Sequence, residues 1–134
     1  MTRRAGLSGA SLLLAACAGM PGASGWTTLV DGAKGLENFD QIGDANWRAE
    51  EGAIVADKAK GSSFLVSRQS YRDFELRAEF WADHHTNTGL FVRASDPTLV
   101  TAANSCEVNI YDQRPDPLYG TGAIVDFAKV SPMP

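Results

Sequence analysis

The chain has 134 residues, 44% hydrophobic and 21% charged, with 12 basic against 16 acidic side chains and a formal net charge of −4. This composition suits a globular core rather than a disordered or collagen-like chain, and the length fits one small domain, so a two-domain enzyme is not expected. With no basic patch to neutralise phosphates, nucleic acid is not an expected partner.

Arg3 and Arg4 give a short positive start, and Ala5 to Ala16 is an apolar stretch containing Leu12-Leu13-Leu14, too short to span a bilayer. Residues 1–16 therefore read as an export signal. The stretch ends in Leu14-Ala15-Ala16-Cys17, which resembles the bacterial lipobox, so Cys17 is the expected lipidation site. An ordinary signal cleaved after Ala23 or Gly25 is the alternative. The lipobox reading predicts an exported bacterial lipoprotein, held by its lipid at a membrane in the periplasm or outer envelope. Residues 17–25, rich in Gly, Pro, Ala and Ser after Met20, form the tether, and residues 26–134 form the domain. Removing the first 16 residues, which include Arg3 and Arg4 but no acid, leaves 118 residues with 10 basic and 16 acidic side chains, a net charge of −6. Cys106 then stands alone, and its strand-like surroundings favour a small buried hydrophobe over a reactive thiol.

Beyond Trp26, Gly, Asp, Asn and Pro interrupt the chain at the spacing of an all-β domain, and no long amphipathic helix is expected. Candidate strands are Trp26–Val30, Trp47–Glu50, Ala53–Ala56, Ser63–Ser67, Phe74–Trp81, Thr88–Ala94, Cys106–Tyr111 and Gly122–Phe127. Glu51-Gly52 predicts a tight hairpin turn between the second and third. The clearest alternation is Phe74–Trp81, with Phe74, Leu76, Ala78 and Phe80 on one face and Glu75, Arg77, Glu79 and Trp81 on the other. In the next two strands Leu90, Val92, Val108 and Ile110 oppose Gly89, Phe91, Arg93, Glu107, Asn109 and Tyr111. If these strands align in one antiparallel sheet, Glu79, Trp81, Phe91, Arg93, Glu107, Asn109 and Tyr111 share a face. Aromatic rings beside carboxylates and an Arg suit a carbohydrate, whose apolar faces stack while its hydroxyls pair with fixed polar groups. A solvated face with cross-strand Glu/Arg pairs is the competing reading.

Glu107-Val108-Asn109-Ile110-Tyr111-Asp112 carries two acids that could serve as acid and base, or as nucleophile and acid. Alternation points Asp112 to the core side, so it joins Glu107 only across a bulge near Ile110 and Tyr111. The spacing is similar to the E-x-D-x-x-E motif of laminarinase-type β-glucanases, with Asn109 at the central acid and Asp112 at the last. Arg93 could clamp a hydroxyl or carboxylate, or neutralise Glu79 or Glu107. Gly122 leaves room for a ligand or a neighbouring backbone. Asp83-His84-His85 diverge in an extended chain and no third ligand follows, so no cofactor is predicted, while a divalent metal is left open.

Gly25-Trp26-Thr27-Thr28-Leu29-Val30-Asp31-Gly32, Trp47 to Gly52, Tyr71 to Leu76, Asn87 to Arg93, Glu107 to Asp112 and Thr121-Gly122-Ala123-Ile124 together resemble the 3-keto-disaccharide hydrolase domain family. The resemblance covers the chain from about Gly25 onward and implies a concanavalin-like jelly-roll sandwich with its site on the concave sheet. It also implies cleavage, hydrolytic or eliminative, of glycosides whose sugar carries a 3-keto group, which acidifies the C2 proton. On that basis Glu107 is the expected acid/base, Asp112 or Glu79 its partner, and Arg93 the group that polarises the keto or enolate oxygen. Trp81, Phe91, Asn109 and Tyr111 are the expected substrate contacts. Asn109 stands where relatives often carry Gln, and Thr88 where they often carry Ser. Relatives continue through several more strands past the Thr-Gly-Ala-Ile segment, so the sandwich is expected to be incomplete at the C-terminus. A noncatalytic carbohydrate-binding module and a structural envelope lipoprotein are the other two functions this pattern allows.

Overall fold

In the computed structural model, which describes residues 25–131, six short strands form three antiparallel pairs. The export signal, Cys17 and all of the tether but Gly25 lie outside the described residues. The strands are β1 (Phe39–Ile42), β2 (Arg48–Glu50), β3 (Ala53–Val55), β4 (Phe64–Ser67), β5 (Thr88–Val92) and β6 (Cys106–Ile110). Two single-turn 3₁₀ segments, Leu36–Asn38 and Pro117–Tyr119, are the only helical residues described. The protein is thus all-β and built from antiparallel ladders, as the interrupted sequence predicts, consistent with a β-sandwich. Among the described residues no helix is long and apolar enough to cross a membrane.

The pair β2–β3 closes through a two-residue loop, because Glu50 lies opposite Ala53. Glu51 and Gly52 both take positive φ, 48° and 80°, and this left-handed pair matches the twist of the flanking strands. Around the hairpin, Arg48 bonds Glu50 and reaches Asp57 at 3.1 Å, and Asp57 in turn is held by Asn46. Strand β1 pairs with β4 in the register Phe39↔Ser67 to Ile42↔Phe64. β1 was not expected from the sequence, since Asp40 and Gln41 break its apolar alternation.

Strand β5 pairs with β6, from Thr88↔Ile110 to Val92↔Cys106. On the other side of β6 runs residues 122–125. Gly122 N–H donates to Asn109 O at 2.8 Å, Asn109 N–H to Ala123 O at 2.8 Å and Val125 N–H to Glu107 O at 3.0 Å. The expected strand Gly122–Phe127 is therefore an irregular lane bridged at Val108↔Ile124, which then folds back on itself at Ile124 and Ala128. The buried apolar side chains among the described residues are Val100, Ile110, Ala123 and Val125, of which Ile110 lies on β6 and Ala123 and Val125 in the lane beside it. The ring of Phe64 on β4 meets that of Phe91 on β5 edge to face, centroids 5.1 Å apart, and so joins the two longer ladders.

Two other expected strands differ from the structure. Trp26–Val30 joins no ladder, and Phe74–Trp81, despite its regular alternation, pairs with no described residue and is exposed along its length. Alternation marks residues that fit a pleated surface, but a lone strand leaves its backbone groups to water and gains stability only through a partner. Its side chains find local partners instead. Arg77 bonds Glu75 at 2.9 Å and lies over the Trp26 ring, 4.5 Å from its centre.

Candidate functional site

The pairing of β5 with β6 sets Phe91 opposite Glu107 and Gly89 opposite Asn109, so these four share one face of the ladder. Leu90, Val92, Val108 and Ile110 take the other, as the alternation predicts. Glu107 is half-buried on this face, and its side chain lies across Gly89. A Cβ at position 89 would sit 2.9 Å from Glu107 Cγ and 2.9 Å from its Oε1. The missing side chain of Gly89 is therefore what gives the carboxylate its seat.

That seat disfavours the charged form. Burial pushes the Glu107 carboxyl above its ordinary value of 4.5, with the Arg114 guanidinium opposing the rise and the Asp126 carboxylate adding to it. Asp126 follows Val125, whose N–H binds the Glu107 carbonyl, and takes φ 64° in the left-handed region that Asp tolerates. Arg114 is half-buried in the turn after β6, with its N–H donating to Tyr111 O. The sequence reading missed both residues. Asp126 falls within the expected strand Gly122–Phe127, and nothing in the sequence singles out Arg114, next to Pro115.

Asn109 is fully buried. Its Nδ2 donates to Tyr119 O at 2.7 Å, while its Oδ1 is buried without a hydrogen-bond partner among the described residues. With its backbone bonds to Gly122 and Ala123, Asn109 fixes residues 119–123 against β6, so it is a covered member of the Glu107 face rather than an open contact. Phe91 is also half-buried, with its ring engaged by Phe64.

The remaining residues expected on this face lie elsewhere, and the assumed single sheet does not extend to Phe74–Trp81. Tyr111 is half-buried past the end of β6, its N–H donating to Thr121 Oγ1 at 3.0 Å. Thr121 donates to Asp112 Oδ1 at 2.5 Å. The strand ends at Ile110 with its register to β5 unbroken, and Asp112, in the turn beyond, falls beside Ile110 rather than Glu107. There it lines a cleft of about 220 Å³ with Phe80, Trp81, Asp83, Thr86 and Ile110. Glu79 is exposed on the unpaired segment. Arg93 leaves the ladder at φ 59° and sets its guanidinium 5.7 Å from the centre of the Phe74 ring. The structure thus separates the expected acids: Glu107 with Gly89, Phe91 and Asn109 on one side, Asp112 with Trp81 on the other.

Among the described residues no group of three or more His, Cys, Asp or Glu is placed to hold a metal ion. His84 Nε2 instead meets Gln113 Nε2 at 2.7 Å, tying the loop at residues 83–85 to the turn after β6. Cys106 is half-buried in β6, with no disulfide partner among the described residues.

A family model described as the 3-keto-alpha-glucoside-1,2-lyase-like domain matches residues 25–133. Comparison with curated proteins and with solved structures gave no match.

Proposed function

Because the chain belongs to the 3-keto-alpha-glucoside-1,2-lyase-like domain family, we propose that it cleaves glycosides whose sugar ring carries a ketone at C3, with Glu107 as the base. Membership ties the chain to carbohydrate chemistry, and the choice of base rests on one observation. Glu107 is a carboxylate seated over Gly89 in surroundings that raise its proton affinity, the direction that strengthens a general base.

The ketone withdraws electrons from the adjacent carbon, so Glu107 takes the C2 proton and the electron pair moves into an enolate at C3. The enolate then re-forms the ketone and expels the aglycone from C1, leaving a C1=C2 double bond, while water protonates the departing oxygen. Addition of water to that double bond turns the elimination into a net hydrolysis. Arg114, whose charge acts on the Glu107 carboxyl, is assigned to steady the enolate oxygen, in place of the Arg93 expected from the sequence. Asp112 and Glu79, the expected partner acids, have no role in this scheme because they stand on other elements.

Turnover of methyl 3-keto-α-glucoside by wild type and by Glu107→Gln tests the reading, since the amide keeps the shape and removes the base. Loss of turnover with saccharide binding retained is the expected result, and full turnover by the variant overturns it. A noncatalytic saccharide-binding module is the second reading, favoured by the 88% exposure of Trp81. It predicts binding without turnover in wild type as well.

We also propose export and lipid attachment through Cys17. Cys17→Ser would then move the protein from the membrane to the soluble fraction and abolish incorporation of labelled palmitate. A membrane-bound, labelled variant removes the anchor.

A further inference from the structure

We propose that the cleft beside Trp81 is a second saccharide-binding site, separate from Glu107, which takes a single ordinary pyranose ring lacking the 3-keto group. It does not rest on Glu107 being a base. The cleft combines the two elements that sugar recognition needs, a flat apolar platform and fixed hydroxyl acceptors. Trp81 is the platform, 88% exposed.

Asp83 and Asp112 are the acceptors, and each is oriented before any ligand arrives. Asp112 Oδ1 takes the Thr121 hydroxyl at 2.5 Å, which leaves Oδ2 without a hydrogen-bond partner among the described residues. Asp83 Oδ1 takes the His85 N–H at 2.8 Å, and that bond, with help from Thr86, holds its carboxyl below the usual range, so it remains a charged acceptor. The His84–Gln113 contact ties the loop that carries Asp83 to the turn that follows Asp112, so the two walls are held together. Ile110 forms an apolar floor, from the side of β6 opposite Glu107.

Size selects the ligand further. A volume of about 220 Å³ falls below the roughly 300–1,000 Å³ of sites that enclose drug-sized molecules, which limits occupancy to one ring. The carboxylates would also attract a quaternary ammonium, but a cation cage closes several rings on one point, whereas the described rings of this cleft are Phe80 and Trp81 alone, chain neighbours that do not pair with each other. A site here would hold a second sugar unit, or a glycan that bears the substrate, while chemistry proceeds on the far face of the ladder.

The full chain is titrated with methyl α-glucoside while the indole N–H resonance of Trp81 is followed, assigned by its loss in Trp81→Ala. A saturable shift is expected, weakened about tenfold or more in Asp112→Asn, since that carboxylate's charged hydrogen bond is lost, and unchanged in Glu107→Gln. Because Trp81 and Asp112 are exposed, both variants should keep the wild-type far-UV spectrum. The proposal is overturned if no saturable shift occurs, if Glu107→Gln abolishes it, or if choline produces it and the glucoside does not. Loss of turnover in Glu107→Gln with the Trp81 shift intact separates this site from the proposed base.

Discussion

Gly89→Ala probes the seat of Glu107 with a single methyl group. In an ordinary strand the change is favourable, because alanine loses less backbone freedom than glycine, by roughly 0.5–1 kcal/mol. Here the new Cβ would meet Glu107 Cγ, Glu107 Oε1 and the Val108 carbonyl oxygen, each at 2.9 Å. The Glu107 side chain can swing aside, but the Val108 carbonyl belongs to β6 and moves only with the ladder. Overpacking of this kind costs about 1–3 kcal/mol, so after the backbone gain a net loss on the order of 1 kcal/mol remains. Urea unfolding of wild type, Gly89→Ala, Glu107→Ala and the double variant measures it. The methyl should cost less when Glu107 is already shortened, giving a coupling energy in the cycle, and Gly89→Ala should lose turnover because the carboxylate is displaced. Unchanged stability and activity in Gly89→Ala would refute the seat, as would strict additivity in the cycle.

Three further outcomes are expected. Glu51 occupies a left-handed position with φ 48° beside Gly52, so Glu51→Asn creates the preferred Asn-Gly turn and should raise stability by about 0.5–1 kcal/mol in urea unfolding; a loss would argue against this hairpin. Asn109→Ala leaves the Tyr119 carbonyl without its donor and opens a void, and should cost about 1–3 kcal/mol by thermal melting, whereas an unchanged midpoint would put Asn109 outside the core. The raised Glu107 carboxyl gives the folded state more bound protons than the unfolded one just above pH 4.5. Its ionisation therefore subtracts stability as pH rises through that window. Glu107→Gln should gain relative to wild type from pH 4 to pH 7 in parallel unfolding curves, and a relative loss would show that the carboxylate is stabilised rather than strained.

Much of this arrangement can be read from residue order. Glu51-Gly52 specifies its turn because glycine accepts φ 80° without a Cβ clash, and the alternation in Thr88–Val92 and Cys106–Ile110 separates Glu107 and Asn109 from Val108 and Ile110 as the ladder does. What failed depended on distant partners. Phe74–Trp81 has the best alternation in the chain yet no ladder, while β1, with Asp40 and Gln41 at its centre, is a strand because β4 supplies its hydrogen bonds from more than twenty residues away. Local pattern reports which side chains share a face, whereas pairing is decided by tertiary context. The separation of Asp112 from Glu107 goes with a strand that ends at Ile110 with its register to β5 unbroken, which alternation alone already favoured. Arg114 and Asp126 were hidden for another reason: each reaches Glu107 through a turn.

Proton abstraction by Glu107 is the central claim, and it can be watched directly. Methyl 3-keto-α-glucoside in deuterated water, followed by proton NMR, reports loss of the C2 hydrogen whether or not the aglycone departs. Wild type should catalyse that exchange, and Glu107→Gln should slow it by about 100-fold or more, the contribution of a positioned base. Exchange at the wild-type rate in Glu107→Gln would contradict the account and place the base elsewhere.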